Sequence, residues 1–176
     1  MWGLIGGTGL GELAGFVRHS EGKIATPYGE ASAPVQIGVR DGMPLAFLPR
    51  HGIGHRLAPH AINYRANLHA LKAVGVSRLI GVAAVGGISE AMAPGEVAVP
   101  HDLIDYSWGR AHSFSLEPGD PLQHIEFAPP YDGELRLALM DSADAREIRI
   151  QRLAVHGVTQ GPRLETAAEI RRLARD

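Results

Sequence analysis

The chain has 176 residues, no cysteine, and 17 Lys and Arg against 19 Asp and Glu, a formal charge of −2. That length builds one core and needs no second domain, and the charge balance leaves no basic footprint for nucleic acid or an anionic membrane. Disulfides, thiolate metal sites and cysteine nucleophiles are excluded, and with neither a signal-like start nor an apolar run of bilayer length the chain reads as soluble and cytoplasmic, with a small-molecule partner.

Met1 to Ile5 is a short apolar strand running into the glycine cluster Gly6-Gly7-Thr8-Gly9. Gly7 and Gly9 match the first two glycines of a dinucleotide fingerprint, but Glu12 stands at the third, where its carboxylate would oppose a pyrophosphate. The turn therefore suits a smaller anion. Pro34 to Val39 and Leu45 to Leu48 flank Asp41-Gly42 and predict a hairpin. From Ala61 the apolar positions Ile62, Ala66, Leu68, Leu71 and Val74 recur at helical spacing, and Gly75 stands where a helix ends.

The run "RLIGVAAVGGI" (78–88) is nearly all apolar, the pattern of a central strand buried on both faces. Gly95 to Pro100 predicts another strand, residues 105–130 a long ordered loop, Gly133 to Ser142 a helix and Arg152 to Thr159 a strand. Thr166 and Glu169 form a capping box at the start of a last helix. Strands and helices so interspersed predict a single α/β domain over 1–176.

A phosphate-sized anion needs directional donors from several parts of a fold. Three segments supply them at strand ends: the amides and hydroxyl of Gly6 to Gly9; the guanidinium and imidazole of Arg50 and His51 in "PRHG"; and the amides of Ala84 to Gly87. His51 and His55 also have the four-residue spacing of a zinc-binding helix, with His60 nearby. Gly52, Gly54 and Pro59 argue against a helix there and no Glu accompanies the pair, so no metal is assigned. In "TQGPRLET" (159–166) the Gly161-Pro162 turn points Arg163 and Glu165 away from regular structure, toward a ligand or toward each other's neighbours.

The ordered set "IGGTGL", "RHGIGH", "NYRANLHALK", "AAVGGI", "PGEVAVPHDLID" and "GPRLET" resembles the purine nucleoside and methylthioadenosine phosphorylase family. Within it, "AVGGI" and "TQGPRLET" are most similar to the S-methyl-5'-thioinosine phosphorylases. The resemblance implies a phosphorylase/hydrolase-like fold, a mixed central sheet flanked by helices. It implies phosphorolysis of S-methyl-5'-thioinosine to hypoxanthine and 5-methylthioribose 1-phosphate in purine salvage, with inorganic phosphate as co-substrate and no cofactor. Methylthioadenosine or general purine nucleoside phosphorolysis is the alternative within the class, and an inactive phosphate- or nucleoside-binding fragment the alternative outside it.

By that match Thr8, Arg50 and His51 bind phosphate and Ala84 contributes its backbone. Ala83 departs from the threonine or asparagine of relatives, which removes one side-chain contact. His124, in "QHIEF", matches a histidine that reaches a neighbouring subunit's site, which implies a homotrimer. Leu164 and Glu165 match positions beside the base and 5'-substituent. Relatives continue beyond this chain's last residue with a sugar-holding segment and an Asp or Asn that reads the purine, so the chain is expected to lack its C-terminal part and the catalytic base-reading residue to lie beyond Asp176.

Overall fold

A computed structural model describes residues 1–115, 119–121 and 123–176. The chain divides into two compact units, one made of Met1–Val85 with Ala111–Phe114, the other of Gly86–Arg110 with Ser115–Asp176.

The first unit is built on a five-stranded sheet. Its strands are β1 (Trp2–Gly6), β2 (Phe16–Gly22), β3 (Val35–Arg40), β4 (Met43–Pro49) and β5 (Arg78–Val82), in the order β2-β3-β4-β1-β5. β2, β3 and β4 are antiparallel neighbours, while β1 runs parallel to both β4 and β5. The sheet is thus mixed, as expected. The β3–β4 hairpin closes through Asp41 (φ 49°) and Gly42 (φ 76°); left-handed conformation at both positions matches the right-handed strand twist and is cheapest for this residue pair. Helix α1 (Tyr64–Ala73) starts three residues later than the apolar periodicity implied, because Pro59–Ala61 forms a short 3-10 turn and Asn63 caps the helix by accepting from the Ala66 amide.

The core lies where α1 meets the sheet: Ala70 and Leu71 of the helix pack with Val35, Ala46 and Leu48. Ala46, Phe47 and Leu48 are all fully buried, so β4 is covered on both faces. The run at 78–88 is not. Only Arg78–Val82 is strand, among the described residues it pairs with β1 alone at the sheet's edge, and Val82, Val85 and Ile88 are exposed. An unbroken apolar run marks faces that lack charge; it does not say which strands stand beside it, and β4, interrupted by Pro44 and Pro49, holds the place assigned to β5.

The second unit carries two parallel strand pairs, β6 (Val97–Ala98) with β8 (Ile150–Gln151) and β7 (Asp102–Asp105) with β9 (Val155–Val158), and the helices α2 (Gly133–Asp144) and α3 (Ala167–Leu173). The expected strands at 95–100 and 152–159 are present in shortened form. Of the expected loop at 105–130, residues 116–118 and 122 lie outside the described residues. α3 begins with the expected capping box: Thr166 Oγ1 accepts from the Glu169 amide and the Glu169 carboxylate accepts from the Thr166 amide.

Candidate functional site

The register of the parallel strands assembles the first site. Gly6 aligns with Pro49 of β4 and with Val82 of β5, so Gly7-Thr8, Arg50-His51 and Ala83-Ala84 are the next residues beyond the carboxyl ends of three adjacent parallel strands. That is the general location of ligand sites in such sheets. The segments meet closely. A Cβ on Gly7 would lie 2.5 Å from Arg50 Nη2, 2.7 Å from the Val82 carbonyl oxygen and 3.3 Å from Ala83 Cα. Only glycine leaves room for the guanidinium to cross there. The Arg50 amide donates to the Gly6 carbonyl at 2.8 Å, which stitches the start of the second segment to the end of β1.

Arg50 is partly buried, and among the described residues its guanidinium is in no ion pair. Arginines away from water are ordinarily matched to a carboxylate. His51 is buried and its Nδ1 lies 2.8 Å from the Leu57 carbonyl. A carbonyl only accepts, so Nδ1 carries a proton, and on the neutral ring Nε2 is left as an acceptor. Thr8, Ala83 and Ala84 are exposed, and the amides of Thr8 and Gly9 donate to no other group among the described residues. Each residue the sequence proposed for phosphate thus sits at this strand-end cluster, with donors not engaged by carboxylates.

The histidines spaced for a metal do not share a helix. Residues 50–55 form turns, with positive φ at Gly52, Gly54 and His55. The rings of His51 and His55 stack face to face with centroids 4.2 Å apart.

A second site lies within the other unit. A cleft of about 260 Å³ is lined by Tyr106, Trp108, Gln160, Glu165, Arg172 and neighbouring side chains. The connector Thr159–Gln160 is held by Arg110, which donates from Nε to the Gln160 side-chain oxygen and from Nη2 to the main-chain carbonyls of Thr159 and Gln160. Of the two residues expected to set specificity, Glu165 lines this cleft and is half-buried, whereas Leu164 is 86% exposed and does not line it. Arg163 is paired: its guanidinium clasps Glu169 at 2.7 and 2.8 Å. Tyr106, Trp108 and Arg172 were not singled out by sequence reasoning: Tyr106 and Trp108 are far from Glu165 in the chain, and Arg172 is one of two adjacent arginines on the last helix with no spacing that marks it. His124 is exposed.

Hydrogen bonds from Arg163, with the Thr166 amide second, hold the Glu169 carboxyl down at about 2, against an ordinary 4.5. A depressed carboxylate contributes while ionised, and that contribution is lost as pH falls from its unfolded value through its folded one. Amide exchange across residues 163–170 is expected to speed up as pH drops from 4.5 toward 2, beyond the intrinsic pH dependence, and Glu169→Gln should remove that acid-induced change. An identical pH response in the variant would show that this pair does not fasten the start of α3.

The sequence model of the phosphorylase superfamily matches residues 2–176. The chain belongs to the phosphorylase superfamily. Among its superfamily relatives, the probable S-methyl-5'-thioinosine phosphorylase of Pseudomonas syringae pv. tomato is 46% identical over 176 residues, which cover all of this chain and 72% of that protein. The S-methyl-5'-thioadenosine phosphorylase of Hyperthermus butylicus is 40% identical over 96% of this chain and 61% of its own length. A double mutant of the adenosine/methylthioadenosine phosphorylase of Schistosoma mansoni, solved in complex with adenine, superposes with a TM-score of 0.92 at 27% identity, covering 99% of this chain and 68% of that one. No helix of the described residues is long and apolar enough to cross a membrane.

Proposed function

We propose that the protein cleaves S-methyl-5'-thioinosine with inorganic phosphate, releasing hypoxanthine and 5-methylthioribose 1-phosphate in methylthionucleoside salvage. The observation that carries this reading is Arg50: a partly buried guanidinium with no carboxylate partner among the described residues, beyond three parallel strand ends. It is the arrangement expected of a group kept for an incoming anion. Thr8 adds a hydroxyl, His51 an Nε2 that accepts from a protonated phosphate oxygen, and the turn at Thr8-Gly9 and the segment at Ala83-Ala84 add amides.

In the reaction a phosphate oxygen attacks C1' of the sugar as the bond from C1' to the purine nitrogen breaks. The bond's electron pair leaves with the purine, which takes up a proton. Charge shifts from phosphate toward an oxocarbenium-like sugar, so holding the anion at one place supplies both orientation and electrostatic stabilisation. The chemistry calls for no metal or organic cofactor. The assembly implied by the family resemblance is a homotrimer with His124 contributed to a neighbouring subunit.

Glu165 favours thioinosine over thioadenosine. A carboxylate accepts from the N1–H of a 6-oxopurine but faces only a lone pair at N1 of adenine. Phosphate-dependent cleavage of S-methyl-5'-thioinosine, S-methyl-5'-thioadenosine and inosine by the purified protein tests the reading; preference for either of the latter two overturns the substrate assigned. Glu165→Ala is expected to cost about 1.5–3 kcal/mol in kcat/KM for the thioinosine, a factor of roughly ten or more, with little change for the thioadenosine. Equal losses on both substrates would take Glu165 away from the base. If phosphate binds with no base released, the protein is a binding module.

A further inference from the structure

Asn67 is 2% exposed on α1, one of two buried polar side chains among the described residues. Both ends of its carboxamide are used, and both on the same residue 35 positions earlier. Its Oδ1 accepts from the Ser32 amide at 2.7 Å, and its Nδ2 donates to Ser32 Oγ at 2.9 Å. A buried polar group so fully matched fixes the backbone it holds, because any other placement leaves donor and acceptor without partners.

What Ser32 then touches gives the contact its meaning. Its carbonyl oxygen lies 3.1 Å from where a Cβ on Gly52 would stand, and Gly52 has φ +75°. Gly52 is the residue directly after Arg50-His51, and its amide donates back to Pro49 at the end of β4. The same Cβ position is 3.5 Å from the side chain of Leu57, the residue whose carbonyl accepts a hydrogen bond from His51 Nδ1. The turn that carries Arg50 and His51 is therefore packed at Gly52 against both Ser32 and Leu57. Asn67 itself reaches neither Arg50 nor His51.

We infer that Asn67 is a positioning residue for the Arg50-His51 anion site, acting through Ser32 and Gly52. It fixes the Ser32 main chain against which Gly52 packs, and thereby where the guanidinium and imidazole stand. The inference rests on the phosphate reading given above.

Calorimetric titration of the full chain with inorganic phosphate tests it, using wild type, Arg50→Ala, Asn67→Ala, Ser32→Ala and, as a control, Ala70→Gly. Ala70 is fully buried on the same helix and belongs to the sheet-facing core, so its replacement loosens α1 while leaving the Asn67–Ser32 pair in place. Asn67→Ala is expected to weaken phosphate binding by about tenfold, and Ser32→Ala, which removes only the Nδ2 acceptor, by a smaller factor. Ala70→Gly should lower thermal stability with phosphate affinity retained. Wild-type affinity in Ser32→Ala and Asn67→Ala overturns the positioning role; so does an equal loss in Ala70→Gly. Should Asn67→Ala fail to fold, the Ser32→Ala result decides alone. Binding by wild type that Arg50→Ala leaves intact, or no binding at all, overturns the phosphate reading and this inference with it.

Discussion

Arg50→Ala is expected to reduce phosphate binding by about 1.5–3 kcal/mol, roughly ten- to a hundredfold, because a charge-assisted and potentially bidentate contact is removed. The loss should appear in the phosphate KM and in kcat/KM, with the fold kept. The guanidinium is in no ion pair among the described residues, so its removal strands no buried carboxylate. Phosphate titration of base release, run beside thermal unfolding, separates the two. An unchanged phosphate dependence would take Arg50 out of the site and leave the strand-end cluster without its principal cation.

Phe47→Ala should have the largest effect on stability. The ring is fully buried in β4, tilted against Phe16 at a centroid separation of 6.3 Å, and backs onto Gly6 where β1 ends. Truncating a core phenylalanine typically costs about 3–5 kcal/mol in transfer and cavity terms, a large part of the roughly 5–15 kcal/mol that holds a domain folded. Urea unfolding should show the midpoint falling with the slope retained. A loss under about 1 kcal/mol would mean that the space refills easily and that the face of the sheet under Gly6 is not tightly packed.

The hairpin, the glycine turn, the Arg50-His51 pair and the capping box of α3 were legible because each is local: Asp41-Gly42 dictates its turn, and the side chains of Thr166 and Glu169 each accept from the other's amide three residues away. The three segments proposed for phosphate were each readable as strand ends. Their convergence was expected from that shared position and from the family resemblance, but the register that sets Gly6 beside Pro49 and Val82 is not written in the segments themselves. β2 escaped notice since Phe16–Gly22 reads FVRHSEG and has no apolar alternation; an exposed outer strand needs none. β5 was misplaced to the centre because hydropathy along a chain carries no record of neighbours. Nothing in the sequence marks Asn67 out, and only the path of the chain through Ser32 shows what it grips. The depressed carboxyl of Glu169 depends on Arg163 folding back six positions, which the motif "GPRLETAAE" permits but does not impose.

The order β4-β1-β5 has a bearing on how the protein is made. Trp2–Gly6 is made before both of its partners: one side waits for residues 45–49 and the other for 78–82. Until β4 has emerged the nascent chain can close only the β2–β3 pair, while β1 stays open to solvent and to chaperones. Long-range parallel pairing of this kind folds slowly, so translation that pauses before position 82 would leave the segment after Gly6 without its neighbour at Ala83-Ala84.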